Sequence, residues 1–215
     1  RGLGDVYKRQ GLSLGEYGAL AAAGVMELPD LFRIIRMRGI YMQEAYPEGG
    51  AMTAVLGLDG DAVAAICERT AKETGKVVSV ANYNCPGQIV ITGEADAVEA
   101  ASEALKEAGA KRCVPLKVSG PFHSALLKNA GEQLAEELKS VKLSTPWIPY
   151  VSNVTADYVT DASQVAELLK QQVSSPVHFT QSVERMIADG VDTFIEIGPG
   201  KTLSSFVRKI DRNVK

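Results

Sequence analysis

Two hydrophobic rhythms alternate along this chain, one of helical period and one of period two. Residues 17–46 follow the helical one. Tyr17 to Ala23 is alanine-rich and stopped by Gly24, and beyond it Leu28, Leu31, Ile34, Ile35 and Arg38 recur at helical spacing around the start signal Pro29-Asp30. From 51 the pattern changes. Met52–Leu58 reads as a strand, and Asp59–Glu73 as a helix capped by Asp59. Val77–Tyr83 and Gln88–Thr92 read as strands about a turn at Cys85-Pro86-Gly87, Glu94–Ala108 as a helix and Arg112–Val118 as a strand. The order β-α-β-β-α-β predicts a split βαβ, ferredoxin-like unit over 51–118. After it come a helix from Ser124 to about Leu138, a strand Pro146–Val154, helices Asp161–Gln172 and Phe179–Asp189, a strand Thr193–Ile197 and a helix Leu203–Ile210. Alternating strands and helices predict a mainly parallel sheet covered by helices. The expected class is therefore α/β, with 11–50 and 119–215 forming one large subdomain around the inserted small one.

Residues 1–10 break the pattern. The stretch before a strand-to-helix turn should be apolar, yet it carries Lys8 and Arg9. We read 1–10 as a non-native leader joined to a truncated frame.

Composition narrows the function classes. The 215 residues suffice for one sizeable core or two small ones, and 46% hydrophobic with 23% charged is ordinary for a globular chain. A net charge of −3 gives no nucleic-acid footprint. No apolar run approaches the roughly 18 residues of a membrane span. No apolar leader segment marks export, so a cytoplasmic location is expected. Three cysteines, Cys67, Cys85 and Cys113, with no Cys-x-x-Cys spacing, read as reduced thiols rather than a disulfide scaffold or a metal site.

The candidate chemistry centres on Gly11-Leu12-Ser13-Leu14-Gly15, a Gly-x-Ser-x-Gly spacing. Such spacing lets a serine sit on a tight strand-to-helix turn, with its hydroxyl exposed and backbone N–H groups converging at a helix start. It equally describes any small-residue turn before a helix. A nucleophilic Ser13 needs a base, and the chain has two histidines. His123 lies at the exit of a strand, where α/β folds present catalytic groups, whereas His178 sits in an apolar segment as a packed side chain would. Position favours His123. No Asp or Glu announces itself as a third member. Gly198-Pro199-Gly200-Lys201-Thr202 lacks the glycine a phosphate loop needs at Ile195 and reads as a turn. Cys85 has no neighbouring cation or histidine to activate it.

Six separated motifs carry a resemblance. Gly11–Tyr17, Arg38–Ala45, Gly50–Leu58, Asn82–Gln88, Gly120–Ser124 and Glu196–Lys201 resemble the malonyl-CoA:acyl-carrier-protein transacylases, in order and from about Gly11 to the C-terminus. The resemblance implies an α/β-hydrolase-like large subdomain with a ferredoxin-like insertion, and two-step acyl transfer without metal or cofactor. Ser13 would be the nucleophile and His123 its base. Arg38 would grip the malonyl carboxylate, the Leu14 N–H would donate to the oxyanion, and the Gln172 backbone carbonyl would orient the histidine in place of an acid. Phe122 would narrow the acyl pocket, and Asn82, Asn84 and Asn153 would support the site. Malonyl-CoA and acyl carrier protein are the implied partners, with neither nucleic acid nor membrane among them. Lys111, Arg112, Lys117 and Lys128 are candidate docking cations or simple surface charges.

Two departures matter. Leu12 stands where most members have histidine. The early loop that supplies a second oxyanion donor is absent, and losing one such donor costs about 10²–10³ in rate. The expectation is a fragment with its catalytic side chains but reduced or no activity. An acyltransferase domain of a polyketide or multidomain fatty-acid synthase, an esterase and a non-catalytic fragment are the other readings.

Overall fold

A computed structural model describes residues 7–118 and 120–215. Residues 1–6 of the expected leader therefore lie outside the described residues.

The chain opens on α1 (Leu14–Ala22) and α2 (Leu28–Ala45). Pro29 sits in the first turn of α2, where its missing N–H costs no hydrogen bond. The inward face of α2 is Leu31, Ile34, Arg38 and Met42, so a cation occupies an apolar-stripe position. Next come β1 (Gly50–Leu56), α3 (Gly60–Thr74), β2 (Val78–Cys85), β3 (Gln88–Glu94), α4 (Ala95–Glu107) and β4 (Arg112–Pro115). Their four strands form one antiparallel sheet in the order β2-β3-β1-β4. Asp59 caps α3 as expected, accepting from the Ala62 N–H at 2.9 Å. One face of the sheet packs on α3 and α4 through Val55, Val63, Val80, Ile91, Val98 and Leu105.

The remainder is α5 (Lys128–Leu138), β5 (Tyr150–Val151), β6 (Tyr158–Val159), α6 (Val165–Gln172), α7 (Phe179–Ala188) and α8 (Thr202–Ile210). α1, α2, α5 and α6 enclose a second cluster that includes Tyr17, Leu20, Ile34, Leu134 and Leu169, with Tyr150 of β5 among them. Phe179, Val183, Phe206 and Val207 join α7 to α8 in a third.

The parallel sheet expected for 11–50 and 119–215 is not formed among the described residues. β5 and β6 make one antiparallel pair, and parallel pairing is limited to the single bridges Arg9–Tyr150 and Asn82–Val177. The polar prefix supplies one pairing residue: Arg9 accepts from the Val151 N–H at 2.8 Å and donates to the Pro149 carbonyl at 3.1 Å. The expected strand Pro146–Val154 shrinks to Tyr150–Val151 for the same reason. Thr193–Ile197 is not a strand either. Among the described residues its backbone pairs only with the 211–215 stretch, through the Phe194 N–H to the Lys215 carbonyl, so no ladder builds. Ile195 and Ile197 stand 81% and 94% exposed.

Candidate active site

Ser13 precedes α1 with φ 53° and ψ −106°, a backbone conformation that costs about 1–3 kcal/mol in a non-glycine residue. Gly11 permits it. A Cβ at Gly11 would fall inside the Gly15 carbonyl group, so the chain can turn this tightly only with glycine there. Gly15 answers no such demand, for a Cβ there meets nothing within 4 Å. The turn is pinned by Asn153, which accepts from the Ser13 N–H at 2.6 Å and donates through Nδ2 to the Gly11 carbonyl at 2.7 Å.

His123 reaches Ser13 from the other side of the molecule. It too has positive φ, 59°, and its Nε2 lies 2.7 Å from Ser13 Oγ. Nδ1 lies 2.8 Å from the backbone carbonyl of Gln172. A carbonyl can only accept, so Nδ1 carries the hydrogen and Nε2 is free to accept from the Ser13 hydroxyl. Gln172 is the last residue of α6, where carbonyls have no partner within the helix. The negative end of the helix dipole also favours positive charge there. A backbone carbonyl thus stands where a triad would place an acid. Burial and then the Arg38 charge hold the His123 imidazole down to about 4, so it is neutral and basic at pH 7.

Arg38 completes the group. It is buried to 7% exposure and donates through Nη2 to Ser13 Oγ at 3.0 Å and to Gln172 Oε1 at 3.2 Å. Its guanidinium lies 5.5 Å from the Tyr17 ring centroid. No carboxylate approaches it within ion-pair distance among the described residues, and its buried Nε has no partner. A cation so placed attracts an anion entering beside Ser13.

The other expected residues divide. Leu14 heads α1 and is 53% exposed, and its N–H, at the start of the helix, has no carbonyl one turn behind it. Phe122 adjoins His123 and packs against the Met52, Ala81 and Val90 patch. Asn153 is bonded to Ser13 directly. Asn82 and Asn84 are buried on β2 without a hydrogen bond to Ser13, His123 or Arg38. They sit beside Val177, whose N–H donates to the Ala81 carbonyl and whose carbonyl accepts from Tyr83.

His178 stacks on Tyr83 with ring centroids 5.1 Å apart, the packed role its sequence context suggests. Burial pushes the Cys85 thiol up, away from nucleophilic chemistry. The Gly198–Lys201 turn leads into α8, but the carboxylate of Glu196 already accepts from the Leu203 and Ser204 N–H groups at 3.1 and 2.8 Å. A side-chain anion fills the place a phosphate would need.

Sequence reasoning passed over Glu16. As an acid in a first helical turn it reads as a dipole partner, yet it is fully buried and accepts from Gln172 Nε2 at 2.6 Å.

Fold and site together define an α/β protein with a serine–histidine pair beside a buried guanidinium. The chain belongs to the acyl transferase domain family, whose model matches residues 10–214. It is 50% identical over 206 residues to the malonyl CoA-acyl carrier protein transacylase of Bacillus subtilis (strain 168), covering 95% of this chain and 65% of that protein. The Escherichia coli (strain K12) protein of the same name is 48% identical over 201 residues, covering 93% and 64%. An acyl carrier protein S-malonyltransferase from Vibrio cholerae superposes with a TM-score of 0.94 at 44% identity, over 97% of this chain and 68% of that one. A malonyl-transacylase solved in complex with a type II PKS acyl-carrier protein superposes at 0.92 and 42% identity, over 95% and 66%. The chain thus spans about 65% of the length of the first of these curated relatives.

Proposed function

We propose that this chain carries the acyl-transfer centre of a malonyl-CoA:acyl-carrier-protein transacylase. The observation that carries the reading is the line Gln172 carbonyl–His123–Ser13 with the buried Arg38 on the same hydroxyl. His123 takes the Ser13 proton as Oγ attacks the malonyl thioester, and the Leu14 N–H donates to the oxyanion. The imidazolium then protonates the departing coenzyme A thiolate. The malonyl-serine passes its acyl group to the phosphopantetheine thiol of the carrier protein, with His123 again as base. Arg38 holds the free carboxylate; a planar guanidinium suits that task. Phe122 leaves little room for a branched acyl chain, a discrimination worth about 1–3 kcal/mol per methyl.

These steps need only side chains and backbone. Residues 51–118 form the ferredoxin-like small subdomain, a reading supported by the strand order β2-β3-β1-β4, and 11–50 with 119–215 belong to the α/β-hydrolase-like large one, of which the described residues carry the helices and not the parallel sheet. Lys111, Arg112, Lys117 and Lys128 are exposed and suit an acidic carrier. A cytoplasmic location accords with this role, and no described helix is long and apolar enough to cross a membrane.

Intact mass after incubation with malonyl-CoA tests the reading. A malonyl adduct on the native chain and none on Ser13→Ala is the expected result. An adduct on both would move the nucleophile elsewhere, and none on either would overturn the reading.

A further inference from the structure

Of the acids among the described residues, only Glu16 is buried. Its Oε2 accepts from Gln172 Nε2 at 2.6 Å and from the Asn153 N–H at 3.3 Å, while Oε1 has no partner. Both partners lead to Ser13. Gln172 uses its second Nε2 hydrogen on the Ser13 carbonyl at 3.0 Å, its Oε1 on Arg38 and its backbone carbonyl on His123. Asn153 holds the Ser13 N–H.

A side-chain amide can sit either way round. A carboxylate offers acceptors only, so it draws the NH₂ of Gln172 to itself and leaves Oε1 facing Arg38. Charge acts in the same direction. When Ser13 gives up its proton, an imidazolium forms beside the buried guanidinium of Arg38, which has no ion-pair partner. A negative Glu16 one amide away offsets that repulsion.

We propose that Glu16 is the positioning residue of this site: through the Gln172 side-chain amide it sets Arg38 and the Ser13 carbonyl, and its negative charge offsets Arg38 while His123 takes the Ser13 proton. The proposal rests on the reading of Ser13 as nucleophile and His123 as base, and is independent of which acyl group is carried.

The groups that face Glu16 are Tyr17 of its own helix, Arg38 of α2, Tyr150 of β5, Asn153, and Gln172 of α6. Burial raises both phenols above their usual range, so neither ionises near neutrality. Burial likewise pushes the Glu16 carboxyl up to about 7, against the lowering effects of Gln172, Asn153 and Arg38. With His123 at about 4, Glu16 is the member of this group that changes charge between pH 5 and 8. The folded state favours the neutral acid, so stability present below the unfolded carboxyl value of 4.5 is lost as pH rises through about 7.

A fluorophosphonate, which labels an activated serine without any malonyl group, separates this proposal from the substrate reading. Labelling of Ser13 is followed by intact mass from pH 5.5 to 8.5, with thermal unfolding in parallel. In the native chain the rate should fall as pH drops through about 7. Glu16→Gln, nearly the same shape, should label about tenfold more slowly at pH 8, with no inflection near 7. It should melt no lower than the native chain at pH 8, because it has no buried charge to lose stability to. Glu16→Asp keeps the charge and should restore the pH dependence. A Glu16→Gln chain that labels at the native rate, or keeps the native inflection, would overturn the proposal. Native labelling by fluorophosphonate without a malonyl adduct would instead overturn the substrate reading and leave this one standing.

Discussion

At the scale of single residues, the site is a question of what Arg38 faces. Nothing negative pairs with it directly, and Ser13 Oγ lies 3.0 Å from its Nη2. A buried guanidinium without an ion-pair partner is costly, and on the proposed reading the malonyl carboxylate is the anion that offsets it. Arg38→Ala should therefore lower malonyl acylation of Ser13 by about 10–100-fold, the worth of a charge-assisted hydrogen bond. Acetyl acylation, measured on the same chain with acetyl-CoA, should fall far less. Equal losses on both thioesters would assign Arg38 to the serine rather than to the carboxylate. The turn at Ser13 was signalled by its flanking glycines, while His123 was chosen as the exit of a strand that in fact ends at Pro115, so its contact with Ser13 owes nothing to a strand end. Arg38 was half legible: it falls on the apolar stripe of α2, an unusual place for a cation. Glu16 was not, because an acid in a first helical turn looks the same whether it faces solvent or the core.

At the scale of elements, the turn before α1 is the most demanding piece. Gly11→Ala would set a methyl against the Gly15 carbonyl, with backbone rather than a mobile side chain in the way. It should destabilise the chain by roughly 2–4 kcal/mol in denaturant unfolding and displace Ser13. Gly15→Ala meets open space and should unfold at close to the native midpoint. A Gly11→Ala chain as stable as the native one would mean the turn is looser than its geometry. The helices were readable from period and caps, and so was the four-stranded sheet, whose central strand β3 is a continuous buried run bounded by turn residues. Of the two strands misread, Pro146–Val154 pairs only over Tyr150–Val151, with β6 and Arg9, and Thr193–Ile197 builds no ladder among the described residues. Pairing is a property of two segments, and one apolar run cannot reveal its partner. The carbonyl that orients His123 was equally hidden from residue reading: it is backbone, and any residue ending α6 would supply it. Only the resemblance pointed to position 172.

At the scale of the molecule, the site is assembled from stretches far apart in the chain. Ser13, Arg38, His123, Asn153 and Gln172 meet because α1, α2, α5 and α6 share one cluster with β5. The sheet is tied in by Val177, hydrogen-bonded to Ala81 and Tyr83 of β2, and by the neighbouring His178 N–H, which donates to the Asn153 carbonyl at 2.9 Å. The four-stranded sheet and the loop that pins Ser13 are thus two hydrogen-bonded steps apart. On the proposed reading Ser13 passes malonyl onward as an ester rather than releasing it to water. Isolating the chain after reaction with labelled malonyl-CoA and adding holo acyl carrier protein separates the two. Label leaving Ser13 and arriving on the carrier thiol, faster than it appears as free malonate, is the expected result. Label released as malonate at the same rate with or without the carrier would contradict the account and make the chain a hydrolase.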